Sequence, residues 1–252
     1  MVFKGTGDRL VVRPFKPETL TYFYLSRPAP CPYLPGRMEQ MVFTELATSG
    51  APSELHDRLS RAGFRRSQSI AYKPSCLGCN ACVPVRIRAA DFRPGRSCRR
   101  ILNRNDRIRG HTVPPVALSG HYDLFRRYVE SRHADGGMAA MTFDDYVAMI
   151  QDTPISSRVI EFRDADGTLY GVCLTDLLDD GLSLVYSFFD PDYAAFSPGT
   201  FIILWHISYA RELNLPYVYL GYWIEASSKM SYKTRFEPVE ALGRDGWREI
   251  ER

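Results

Sequence analysis

The 252 residues are 45% hydrophobic and 24% charged, the balance of a globular chain rather than a fibrous or disordered one. No run approaches the roughly 20 apolar residues of a membrane span, and the opening MVFKGTGDRL has no apolar signal core, so a cytoplasmic setting is expected. The net charge of +3 hides an asymmetry: residues 1–110 hold 20 Lys and Arg against 8 Asp and Glu, and the remainder holds 12 against 21.

RLVVRPF (9–15) reads as a short strand. In SELHDRLSRAG (53–63), Leu55 and Leu59 fall at i, i+4, Ser53 is placed to cap a helix and Gly63 to end it. VPVRIRAADF (83–92) alternates with a period of two, Val83, Val85 and Ile87 on one face and Arg86 and Arg88 on the other. RSCRRILNRNDRIRG (96–110) is expected to be a basic helix on which Arg96, Arg100, Arg104 and Arg107 share a face, with Arg99 beside them. TVPPVALSG (112–120), with adjacent prolines, reads as a connection between a basic N-terminal domain, 1–110, and an acidic C-terminal domain, 111–252.

HYDLFRRYVESRH (121–133) carries Tyr122, Phe125, Tyr128 and Val129 at helical spacing. TFDDYVAMIQD (142–152) opens with Thr142 and an acidic residue three later, a capping pattern. The period then changes. RVIEFRD, LYGVCLTDLL and LSLVYSFFD read as strands separated by ADGT and DDG turns. A helix, GTFIILWHISYARELN (199–214), and a further strand, PYVYLGYWI (216–224), follow. This order predicts an α+β fold whose mixed sheets are flanked by helices, as in GNAT-type acyltransferases.

Residues 58–109 hold 14 basic and 2 acidic side chains, 13 of the basic ones arginine, which suits bidentate contacts to a polyanion. Cys76, Cys79 and Cys82 form C-x₂-C-x₂-C, one thiol short of a four-coordinate zinc site, with Cys31 or Cys98 able to supply a fourth. The ferredoxin pattern continues with x₃-C-P, whereas VPVR follows Cys82 here. Metal ligation, packed thiols and a redox switch all remain open, and Cys173, mid-strand, reads as core. Neither a P-loop nor a dinucleotide glycine motif is present.

Five stretches, taken in order, closely resemble the bacterial aspartate/glutamate leucyltransferases, relatives of the eukaryotic arginyl-tRNA–protein transferases. They are CPYLPGRMEQMVFTEL (31–46), GFRRSQSIAYKPSCLGCNACVPVRI (63–87), RHADGGM (132–138), DGLSLVYSFFDP (180–191) and LPYVYLGYWIEASSKMSYKTRFEP (215–238). The resemblance implies two GNAT-like units and transfer of leucine from leucyl-tRNA to an N-terminal Asp or Glu, marking the acceptor for degradation through the N-degron pathway. Its partners would be leucyl-tRNA and such acceptor proteins, with neither DNA nor a membrane. It also links Cys31, Cys76, Cys79 and Cys82 to a structural or regulatory zinc or iron–sulfur group. Arginyl-tRNA as donor, or a CoA-dependent GNAT-type N-acyltransferase, are the alternatives. The latter is disfavoured by YAAFSPGTF, which carries one glycine where a CoA loop has several.

An aminoacyl ester is already activated, so the transfer itself needs no cofactor. It needs an oriented amine, a proton acceptor, a stabilised oxyanion and a proton for the leaving ribose oxygen. Asp176 and Asp190 end strands and are expected at the sheet edge as base candidates, with Tyr186 four residues before Asp190 on the same face. Tyr222, or Tyr219, could relay a proton. The acceptor carboxylate calls for a cation: Lys229 and Lys233, expected at i, i+4 on a helix, or Arg65 and Arg66. Ser187, Ser227 and Ser228 are candidate hydrogen-bond donors, and His133 is the histidine best placed for function. Arg96, Arg99, Arg100, Arg104 and Arg107 would make a phosphate-binding ridge for the tRNA acceptor arm.

Overall fold

The period-two runs become an eight-stranded sheet, and a smaller basic layer leans against it. The computed structural model describes residues 20–132, 134 and 136–250; the expected strand at 9–15 and His133 lie outside them. The N-terminal part is β1 (Tyr24–Leu25), β2 (Ala29–Pro30), β3 (Met38–Glu39), β4 (Met41–Glu45), α1 (Pro52–Arg61), β5 (Arg65–Ser67) and β6 (Ile70–Pro74). Here β1, β4, β6 and β5 form a four-stranded sheet in that order, and β2 pairs with β3. There follow β7 (Val83–Arg88), α2 (Arg96–Arg104), β8 (Arg109–Val113), α3 (Ser119–Arg132), α4 (Phe143–Gln151), β9 (Ser157–Arg163), β10 (Leu169–Leu177) and β11 (Gly181–Phe189). The chain closes with α5 (Pro198–Glu212), β12 (Tyr217–Trp223), β13 (Val239–Gly243) and β14 (Gly246–Glu249).

The large sheet runs β14-β13-β7-β12-β11-β10-β9-β8. It is mixed, since β11 and β12 are parallel while the other pairs are antiparallel. Its alternation sets the two cores. Ile160, Phe162 and Cys173 pack on one side with Ile202 and Ile207 of α5. Val159, Val172 and Leu174 pack on the other with Phe125 of α3 and Tyr146 and Ile150 of α4. Residues from both sides of position 110 therefore share this sheet. Among the described residues no helix is long and apolar enough to cross a membrane.

Several local expectations need correcting. The helix expected from Ser53 starts at Pro52 after Ala51, without a side-chain cap. The basic helix stops at Arg104, where the Asn105 side chain turns back to the Ile101 carbonyl at 2.8 Å and reaches Phe196 O at 3.0 Å. What was expected as its tail, and as part of the connection after it, is β8, because 109–113 pairs along the free edge of β9. Arg86, on the strand face opposite Val85 and Ile87, is buried: Glu240 of β13 accepts from it at 2.7 Å and its guanidinium lies 3.5 Å from the Tyr217 ring. The Thr142–Asp145 capping box forms as the spacing predicts.

Candidate active site

The parallel pair β11–β12 is joined only over Gly181–Ser183 and Tyr217–Tyr219. Both strands run on, to Phe189 and Trp223, without pairing to each other. One guanidinium stands in the resulting wedge. Arg65, from β5 of the smaller sheet, donates to Leu184 O at 2.8 Å and Val185 O at 2.7 Å on β11, and to Leu220 O at 3.2 Å on β12. Two irregularities make this possible. A bulge in the β10–β11 register skips Val185, and Gly221 takes φ 74° beside the guanidinium. A Cβ on Gly221 would lie 1.5 Å from Arg65 Nη1, so no other residue fits without displacing Arg65.

Lys233 reaches the same wedge from the 3₁₀ turn Ser231–Arg235. It is 5% exposed, and its Nζ donates to Tyr222 O at 2.6 Å. Burial first, and then the Arg65 charge, pull its pKa down to about 7. Among the described residues no ion pair involves Arg65 or Lys233; the partners above are all backbone carbonyls. Tyr33 and Tyr232 lie close enough to feel the Arg65 charge, and Tyr186 lies near Tyr33 and Tyr128; the phenols of all four are pushed up by burial. Tyr186 and Ser187 are half-buried on β11. The Tyr222 phenol, also pushed up by burial, donates inward to Gly63 O at 2.9 Å with Tyr72 O at 3.2 Å, which ties β12 to the smaller sheet.

The other expected site residues are elsewhere. Asp176 is not at an edge: β10 is an interior strand and the residue has no exposed surface. Arg66 grips it through two bonds, Nε to Oδ2 at 2.8 Å and Nη2 to Oδ1 at 2.7 Å. Ser157 donates to Oδ1 at 2.8 Å, and His56, its pKa lowered by burial, lies 3.7 Å from Oδ2. Arg66 is thus committed to Asp176 and the Gln68 carbonyl. Asp190 follows β11 and caps a 3₁₀ turn, its Oδ1 accepting from Asp192 N at 3.0 Å and from Arg127 at 2.7 Å. Lys229 and Lys233 are not on one helical face, since Lys229 is exposed in a turn before the 3₁₀ segment.

Arg96, Arg99, Arg100 and Arg104 are exposed along α2, and no ion pair involves them among the described residues. Arg107 has left the helix and lies over the rings of Tyr170 and Tyr193, at 5.3 and 5.6 Å. Cys31, Cys76, Cys79 and Cys82 gather near the wedge. Burial and the other three thiols push Cys82 up to about 11, whereas the Ala81 N–H lowers Cys79. Among the described residues no three His, Cys, Asp or Glu side chains are placed to hold a metal ion.

Gly221, Tyr33, Tyr128 and Tyr232 are wedge residues that the sequence did not single out for the site. The signal for Gly221 was present, since a lone glycine inside the aromatic strand YVYLGYW marks a close approach to the backbone.

Two family models match the chain: Arginine-tRNA-protein transferase, N terminus, over residues 29–100, and Arginine-tRNA-protein transferase, C terminus, over 120–243. The chain is 55% identical over 227 residues to an aspartate/glutamate leucyltransferase of Paramagnetospirillum magneticum, covering 90% of this chain and 93% of that one. It is 55% identical over 226 residues to one of Parvibaculum lavamentivorans, with the same coverages of 90% and 93%. A solved structure of L-PGS from Bacillus licheniformis is alike over 56% of this chain and 45% of its own, at a TM-score of 0.43 and 12% identity.

Proposed function

The chain belongs to the arginine-tRNA-protein transferase family, with aspartate/glutamate leucyltransferases as its relatives, and from this premise we infer what the wedge does. The protein is an aminoacyltransferase that moves leucine from leucyl-tRNA to the N-terminal Asp or Glu of an acceptor protein, a step of the N-end rule that leads to degradation. In our reading the wedge between β11 and β12 receives the acceptor N-terminus. Arg65 supplies the cation for its side-chain carboxylate, with Tyr186 and Ser187 along one wall. The observation that carries this reading is that Arg65 stands between the two strands with carbonyl partners and no carboxylate. A half-buried cation without a counterion favours an incoming anion.

Arg96, Arg99, Arg100 and Arg104 on α2 serve the tRNA backbone in the same reading. Salt-dependent, sequence-independent phosphate contacts are what such a ridge makes. Two GNAT-like units, 1–110 and 111–252, belong to the same proposal; the division of the two family models between residues 100 and 120 speaks for it, although the two parts share the large sheet through β7 and β8. A cytoplasmic setting, where charged tRNA is found, goes with the reading. We assign the transfer no cofactor and give the four thiols the task of organising the loops that bring Tyr33 and Cys82 to the wedge.

The test incubates the protein with radiolabelled leucyl-tRNA and peptides beginning with Asp, Glu, Lys or Ala, with arginyl-tRNA as the second donor. Label from leucyl-tRNA should enter the Asp and Glu peptides alone, and no transfer to either would sink the reading. Arg65→Met should raise the KM for these acceptors and leave that for leucyl-tRNA unchanged.

A further inference from the structure

We propose that Lys233 is the base that takes the proton from the acceptor's α-ammonium. This deepens the transferase reading and rests on it. Arg65 bonds Leu220 O and Lys233 bonds Tyr222 O, the two carbonyls that flank the bulge and positive φ at Gly221. The Arg65 charge also bears directly on the Lys233 ammonium, so the two cations stand side by side. Lys233 therefore lies beside the wedge, next to the residue that receives the acceptor.

An ammonium there is poorly served. It has three N–H donors and, among the described residues, one hydrogen-bond acceptor, in a site 5% exposed. The charged or titratable groups that bear on it are Arg65, from β5, and Cys82, from the loop before β7. Cys82 is a neutral thiol and Arg65 repels a second cation. The neutral amine is therefore well populated near pH 7, and with one N–H on Tyr222 O its lone pair is free to accept a proton. The two aspartates expected for this task are engaged: Asp176 is sealed against Arg66, and Asp190 is held by Arg127.

The step balances without a co-reactant. The α-ammonium gives one proton to Nζ, and its nitrogen attacks the leucyl ester carbonyl carbon, forming a C–N bond. The tetrahedral intermediate loses its second nitrogen proton to the ribose oxygen as the C–O bond breaks. Amide, free tRNA hydroxyl and a protonated Lys233 result, and solvent returns the lysine to its neutral form.

Lys233→Arg keeps the charge and the length but cannot act as a base. It should lower kcat about 10²–10⁴-fold with the acceptor KM little changed. The wild-type kcat, at saturating acceptor, should rise with pH through a limb near 7 because the base must be deprotonated, and the variant should lack that limb. Lys233→Ala should regain peptide product when small primary amines are added, in an order that follows their basicity. Near-ultraviolet circular dichroism separates misfolded variants from folded ones, and amine rescue remains decisive if the arginine variant misfolds. A wild-type kcat in Lys233→Arg, an effect confined to acceptor KM, or no rescue each overturns the proposal. Absence of transfer by the unsubstituted protein would instead reject the transferase reading beneath it.

Discussion

Arginine does two opposite jobs in this molecule, and the difference lies in what stands opposite it. Arg66 meets Asp176 in a pair whose side chains are both 0% exposed, with Ser157 and Gln68 completing the bonds. Arg65, its neighbour in β5, points to carbonyls alone and keeps its charge uncompensated. Alternation along a strand sends the two side chains to opposite faces, so one closes an interior and the other opens onto the wedge. Removing one partner of a sealed pair leaves a buried charge behind. Asp176→Asn should therefore destabilise the protein by about 3–5 kcal/mol in urea or guanidinium unfolding. The fraction that remains folded should keep its kcat; a fall in kcat at unchanged stability would return Asp176 to the chemistry.

At the scale of elements, α2 is amphipathic in an unusual way. Cys98, Ile101 and Leu102 pack towards the core, while the other side is arginine without acidic relief. Such a face is costly to assemble unless a polyanion neutralises it. Changing Arg96, Arg100 and Arg104 together to Ala should raise the KM for leucyl-tRNA and leave that for the acceptor peptide unaffected. If each makes a phosphate contact, the slope of log affinity against log salt should flatten by about 0.7–0.9 per contact, measurable by filter binding across a salt series. An unchanged slope would take the ridge out of the RNA interface. The wedge is also a property of elements: a bulge at Val185, a glycine at 221 and a short parallel pairing together hold two strands apart.

At the scale of the whole molecule, the basic and acidic parts are joined by more than a linker. β7 lies between β12 and β13, and β8, which spans the boundary at 110, closes the far edge on β9, so residues 1–110 contribute one whole strand and the start of another to the large sheet. Arg65 and the Tyr222 hydroxyl add bonds from one sheet to the other. Residues 111–252 expressed alone would lose β7 from the sheet interior, exposing the faces of β12 and β13 that now pair with it. That fragment should be insoluble or lack a cooperative thermal transition, and co-expression with 1–110 should restore one. A soluble fragment with cooperative unfolding would show that each unit folds on its own.

What the sequence determined by itself was what local spacing can encode. The helices Ser119–Arg132 and Phe143–Gln151, the three-strand meander and the mixed α+β order follow from periods of 3.6 and two, from caps and from turn residues. The charge asymmetry and the family resemblance are also linear properties. The partner of a given ionic side chain is not, because it can lie far along the chain, 110 positions away for Arg66 and Asp176 and 63 for Arg127 and Asp190. Asp176 and Asp190 look alike as strand-terminal carboxylates, yet one is sealed by Arg66 and the other caps a turn. Lys229 and Lys233 look like a helical pair, yet a 3₁₀ turn leaves one in solvent and buries the other. Only tertiary structure decides which charge is compensated and which is left waiting for substrate, since desolvation and pairing arise when distant segments pack.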